Sequence, residues 1–404
     1  MATGYFSFLK SRPYDVGYLL LHSFTSSFGQ TFFIALFVPH FRSQFALSSA
    51  QFGLMYSMAT FLNALIFPFA GAYLDKISIR KFSTGTGILI LLACLVLAFA
   101  PGVAALFMGL TLIRLAGQSL MTHISAASGA RAFGSDRGKA LSVINLGFPI
   151  GEGLLPPVVG LILSRWGNSF GFILLGISLV AVFFPLSRFL YKKSVLISGQ
   201  DHELTTSEKT KKIYRFDLLL KPKFILLVPS MVCPPFLLTG YFLHQASLAT
   251  MLNWPALWVA TWFFLYAFSR IAASFVIGPL TDRYTAVRLY PFYLFPIVIS
   301  MFMLFLWDSS WACLVFLIGS GVTMGTGSTL KNALLPELFG TKSLGAIRSL
   351  SGMLMAIATA LSPWLFGILI DGNRVSLLLI SSISVIAGSY VLSLIGLKIN
   401  RLSR

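Results

Sequence analysis

The sequence predicts an all-α membrane protein: twelve transmembrane helices in two six-helix, pseudo-symmetric halves. Three observations lead there. Of the 404 residues, 56% are hydrophobic and only 10% charged, with a mean hydropathy of +0.84, too apolar for a soluble core. About 20 apolar residues cross a bilayer as one helix, and twelve such runs follow one another along the chain. Finally, one short stretch occurs twice. Gly71-Ala72-Tyr73-Leu74-Asp75-Lys76 ends one apolar run and Gly278-Pro279-Leu280-Thr281-Asp282-Arg283 ends another, 207 residues on; Pro156 recurs as Pro363 at the same separation. A single spacing held at these places means two in-register copies of a unit of about 200 residues.

The predicted spans are 14–38, 50–71, 82–100, 103–128, 139–163 and 170–190, then 223–246, 255–278, 289–307, 311–332, 344–370 and 375–397. Three regions follow: an N-terminal half over 1–190, a linker over 191–222 and a C-terminal half over 223–404. The net charge of +18 invites a nucleic-acid reading, but 24 of the 30 Lys and Arg fall on the side of the linker and termini. That asymmetry reports orientation, with both termini cytoplasmic in the cytoplasmic (inner) membrane. The partner expected from it is the lipid bilayer, with no nucleic acid. No cleavage site follows the first span, which is expected to remain as an uncleaved anchor. Cys94, Cys233 and Cys313 lie scattered in apolar runs, too few for a disulfide framework or a thiolate metal site; no cofactor or metal is expected.

Taken in order, the first span carries a polar run from His22 to Thr31. At 3.6 residues per turn His22, Ser26 and Gln30 fall near one stripe, which should face water or protein. The second span holds Asn63 and Pro68 and ends at the first signature stretch. Arg114 lies near mid-membrane in the fourth. The loop from Arg131 through Arg137 to Lys139 offers Ser135 or Asp136 as an N-cap. Small residues and Pro156-Pro157 in the fifth span allow close contact and bending. Lys-rich residues 191–222 read as a solvated linker, with an amphipathic piece near Ile213–Leu220 as the alternative. Pro229 and Pro234-Pro235 predict a broken seventh span. Trp254, Trp258, Trp262, Trp307 and Trp311 mark a membrane interface. Phe abundance reads as lipid-facing and core packing, and Lys331 can snorkel from the tenth span.

An ionised group at mid-bilayer costs about 2.5–3.5 kcal/mol on insertion scales, so it persists only where it is paired, wet or useful. Arg114, Glu152 and Arg270 meet that condition. The repeat counterpart of Arg270 is Asn63, so the halves are chemically unequal there. One reading is that Arg270, with Arg114 and the polar groups His22, Ser26, Gln30 and Asn63, presents positive charge to an anionic substrate. The structural alternative pairs Arg114 with Glu152 and has Arg270 capping carbonyls. Glu152 is the one carboxylate in the middle of any span, and the candidate proton carrier. His22 and His244 are further candidates for hydrogen bonding or proton carriage, whereas His123 should be packed.

The doubled Gly-x-x-x-Asp-(Arg/Lys) stretch resembles the loop motif of the major facilitator superfamily between the second and third spans of each half. Both copies depart from the family's second glycine, placing Ser78 and Thr285 there. Arg114-Leu115-Ala116-Gly117-Gln118 is similar to a second motif of that family on the fourth helix, with Gly and Gln in swapped order. The resemblance covers the whole chain and implies the major facilitator fold, with secondary transport of a small solute by alternating access. It places a conformational gate at Gly71, Asp75, Arg80, Arg131, Arg137, Gly278, Asp282 and Arg283. Asp75 is expected to accept hydrogen bonds at the amino end of the eleventh span, and Asp282 at that of the fifth.

Within the superfamily, Arg137-Gly138-Lys139-Ala140, Arg270 and Leu344-Gly345-Ala346-Ile347-Arg348 look most like bacterial relatives of the monocarboxylate and oxalate/formate transporter branch. That likeness implies a small organic anion such as a monocarboxylate, with a proton as candidate coupling ion and a monomer as the working form. No Lys or Arg stands mid-helix in the eleventh span, which argues against a dicarboxylate. The other readings are an efflux antiporter for amphipathic compounds and a non-transporting receptor. An enzyme is not expected, since neither an HExxH helix nor a serine elbow occurs.

Overall fold

The computed structural model describes residues 10–166, 168–203, 222–255, 257–307, 309–340 and 344–402, and these are almost wholly helical. Helices satisfy their own backbone polar groups, which a chain in hydrocarbon must do. Eleven of the described helices are long and apolar enough to cross a membrane, from Ser49–Asp75 to Val375–Lys398. A twelfth span is the pair Pro13–Gly29 and Thr31–Gln44, bent by 47°. Counting that pair as the first, the fourth span is Val103–Ala132, the fifth Gly138–Trp166, the seventh Pro222–Leu243, the eighth Trp258–Tyr284, the ninth Ala286–Leu306 and the tenth Ala312–Phe339. Large side chains such as Phe69, Phe268 and Leu306 stay exposed, a surface suited to lipid rather than water.

The chain divides into two compact units. The first holds 10–40 and 58–203; the second holds 41–57 and 222–402. In the first unit the opening span does not run straight. Thr25 Oγ1 donates to Leu21 O (2.8 Å) and Ser26 Oγ to Ser23 O (2.6 Å), hydrogen bonds that compete with the helical ladder. Residues Ser26–Gly29 tighten into a 3-10 turn and Gln30 is extended (φ −87°, ψ 157°) before the helix resumes at Thr31. The expected stripe of His22, Ser26 and Gln30 is therefore interrupted between its second and third members. On the linker side Asp15 accepts from Leu196 N (2.9 Å) and Ile197 N (3.1 Å), capping the short helix Leu196–Glu203. The rest of the linker, including the amphipathic piece near 213–220, lies outside the described residues.

In the second unit the seventh span is continuous where a break was expected. Proline removes the N–H owed to the carbonyl four residues earlier, so Pro234 and Pro235 release Ser230 O and Met231 O. The hydroxyl of Tyr293 donates to the first and Lys331 Nζ to the second (3.1 Å). With both carbonyls satisfied, the helix carries its prolines unbroken. Residues 41–57 pack in this same unit: the Asp371 carboxylate accepts from Ser49 N (2.8 Å) and Ala50 N (2.7 Å), at the positive end of the second span.

The two signature copies differ in backbone. Ser78 sits at φ −58°, ψ 141° and its Oγ accepts from Lys81 N (3.3 Å), so a side chain is useful there. Thr285 sits at φ +70°, ψ 150°, a region essentially reserved for glycine that costs about 1–3 kcal/mol otherwise. Thr285→Gly should therefore raise the unfolding temperature of the detergent-purified protein, while Ser78→Gly should lower it. Equal effects at both positions would contradict this account.

Candidate functional site

Each unit gathers polar groups around one irregular crossing. In the first unit the 3-10 turn Ser26–Gly29 meets the fourth span where residues Arg114–Met121 form a π-helical stretch. A Cβ on Gly29 would lie 2.3 Å from Gln118 N and 2.5 Å from Ile113 O, and one on Gly117 2.6 Å from Gly29 N. Only paired glycines let the two backbones touch here, and π-helical stretches of this kind recur at functional sites. Arg114 and Glu152 are both buried in this unit. Arg114 opens the π stretch, and Glu152 belongs to the fifth span, which reaches the same turn through Ser27 Oγ donating to Phe148 O (3.4 Å). Asn63 joins from the second span, its Nδ2 donating to Ser119 Oγ (2.9 Å) while its buried Oδ1 has no partner among the described residues.

The remaining polar residues of the first span are placed differently. His22 is fully buried; Nδ1 lies 2.7 Å from Tyr18 O and Nε2 2.5 Å from Ser83 Oγ. Both ring nitrogens are thus engaged toward the third span. Ser26 is buried against Ser23 O, and Gln30 is half-buried at the break. His123 packs edge-on against Phe67. His244 lies at the end of the seventh span, with Nε2 2.8 Å from Pro363 O.

In the second unit the eighth and tenth spans cross at Arg270. A Cβ on Gly325 would lie 2.2 Å from Arg270 O, and one on Gly321 2.3 Å from Tyr266 O. Ser274 Oγ donates to Arg270 O (2.9 Å) and to Gly325 O (3.2 Å), stitching the crossing. Arg270 is therefore half-buried on a helix whose backbone is fixed on both sides. Beside it lies a cluster that sequence reasoning missed. Tyr290 and Tyr293 stack at 4.7 Å, Tyr290 OH lies 2.8 Å from Ser230 Oγ, and Lys331 completes the group on Met231 O. The proline pair was the signal in the sequence: two freed carbonyls require two donors from neighbouring helices.

The gate residues are spread over both units. Asp75 pairs with Arg131 at 2.9 Å, both partners being exposed, so the pair contributes at most about 1 kcal/mol. Gly71 packs near Phe67 and His123, whereas Gly278 has open space around it. Arg80 is exposed, as is Asp282. Arg283 stacks on Tyr284 at 5.1 Å. The side chain of Arg137 lies outside the described residues. In the second unit the carboxylate at the helix end after the signature is Glu337, which accepts from Ala286 N (3.0 Å) and Val287 N (3.1 Å).

Twelve apolar spans, a doubled loop and charged groups held at mid-span crossings define a multi-pass membrane transporter rather than an enzyme. Residues 19–264, more than half of the chain, match the family model of the Major Facilitator Superfamily. The chain belongs to that superfamily. Among solved structures, it is similar to a bacterial homolog of the human lysosomal transporter Spinster in its inward-facing and occupied conformation, at 15% identity and TM-score 0.67 over 96% of each chain. The inward-facing and unoccupied conformation of that homolog matches at 16% identity and TM-score 0.67, over 96% of this chain and 97% of the other. At such identity the likeness is one of fold. No curated protein sequence matches significantly.

Proposed function

We propose that this transporter carries a small organic anion, such as a monocarboxylate, across the cytoplasmic membrane by alternating access, as a monomer with both termini in the cytoplasm. The reading places it with the monocarboxylate and oxalate/formate branch. The observation that carries it is Arg270, a guanidinium held mid-span by a backbone clamp at Gly325 and Ser274. A planar guanidinium offers a carboxylate two parallel hydrogen bonds, and holding its helix rigid lowers the cost of ordering it at each binding event. Arg114 and Asn63 of the first unit supply a second set of donors beside the broken turn.

A proton accompanies the anion, with Glu152 as its carrier, because a buried carboxylate that alternates between cationic and apolar surroundings changes its proton affinity. In proteoliposomes an inward proton gradient should drive uptake of labelled lactate. Arg270→Ala should abolish uptake and Arg270→Lys restore only part of it. Glu152→Gln should remove the response to the gradient while leaving lactate exchange intact. Undiminished uptake by Arg270→Ala would overturn the anion reading, and an unchanged gradient response in Glu152→Gln would overturn proton coupling.

A further inference from the structure

We infer that Lys331 is a second anion-binding cation beside Arg270, and that the site takes a small doubly charged oxyanion in preference to a singly charged one. The inference deepens the proposed anion transport and rests on it. The eighth and tenth spans run the same way, and they touch at Arg270 and Gly325. Lys331 lies six residues beyond Gly325, ~9 Å along the helix. Side chains on a helix lean toward its amino end, and Lys331 does so: its Cε lies 3.8 Å from where a Cβ of Gly327 would be. The ammonium is thus carried back toward the level of Arg270, close enough for the two charges to repel.

The environment explains why the ammonium rests there. Its one acceptor among the described residues is Met231 O, at 3.1 Å, the carbonyl that Pro235 deprives of its helical donor. A neutral carbonyl leaves two of the three ammonium protons and the whole positive charge available. The acidic residues on the spans of this unit, Asp282, Glu337 and Asp371, stand at span ends. Two like charges held at one level are best relieved together by a ligand bearing two negative charges, which gains from both cations where a monoanion gains from one. The absence of a basic residue in the middle of the eleventh span therefore does not exclude such a ligand, because the tenth span supplies the second cation. Two carboxylates a few bonds apart meet this requirement, and so does one phosphate monoester.

Thermal-shift titration of the purified full-length protein at neutral pH, with lactate, malonate and methyl phosphate as probes, tests the inference. Malonate or methyl phosphate should bind at least about tenfold more tightly than lactate, and which of the two does so identifies the source of the double charge. Lys331→Gln should erase that preference and leave lactate affinity unchanged, while Lys331→Arg, which keeps the charge, should retain it. Arg270→Gln should weaken all three probes. If lactate binding requires Arg270 but Lys331→Gln keeps the wild-type preference, or if the wild type prefers lactate, the second cation is refuted and the anion reading stands. If Arg270→Gln changes no probe, the anion reading itself fails.

Discussion

Gly29→Ala should leave little folded protein. The new methyl group would sit 2.3 Å from Gln118 N and 2.5 Å from Ile113 O, and both are backbone atoms that cannot swing aside. Overpacking normally costs about 1–3 kcal/mol because side chains yield. Here two helices must separate, so the loss should reach at least the upper end of that range. Moving them apart also pulls the π stretch carrying Arg114 and Ser119 away from the turn it faces. Size-exclusion profiles and unfolding temperatures in detergent will show it. Gly85→Ala is the control: nothing lies within 4 Å of its Cβ position on an exposed helix face, and alanine there should be neutral or gain up to about 1 kcal/mol. Equal behaviour of the two variants would refute the close crossing.

Gly325→Ala should separate transport from folding in the second unit. Its methyl group would lie 2.2 Å from Arg270 O, so the tenth span must shift against the residue that anchors the anion. Sub-ångström to ångström misplacement of a positioning group costs transport far more than it costs stability. Lactate uptake should fall more than tenfold in protein that still inserts. Gly352→Ala, with open space at its Cβ position, should transport as the wild type does. Wild-type uptake by Gly325→Ala would show that Arg270 tolerates displacement.

Much of the architecture was legible in the amino-acid order. All twelve predicted spans overlap observed ones, because a bilayer selects for runs of apolar residues that no soluble context would tolerate. The 207-residue spacing likewise announced two related units. What escaped was local and polar. The break at Gln30 depends on serine and threonine side chains competing with the ladder, and 3.6-residue periodicity is blind to that competition. A broken seventh span was expected because proline was judged by the donor it removes, without the Tyr293 hydroxyl and Lys331 ammonium that replace it. Lys331 itself was read as a snorkelling residue from its distance to the span end; its direction along the helix points inward instead. Thr285 shows the converse, since the family's glycine was known to be missing and only the positive φ shows that its absence matters in one copy.

Counterflow tests the central claim, that a guanidinium fixed at the eighth and tenth span crossing recognises an organic anion. Vesicles containing the purified wild type, preloaded with unlabelled lactate and diluted into a trace of labelled lactate, should accumulate label transiently above equilibrium. Vesicles with Arg270→Ala should not. Accumulation by the variant matching the wild type would contradict the account.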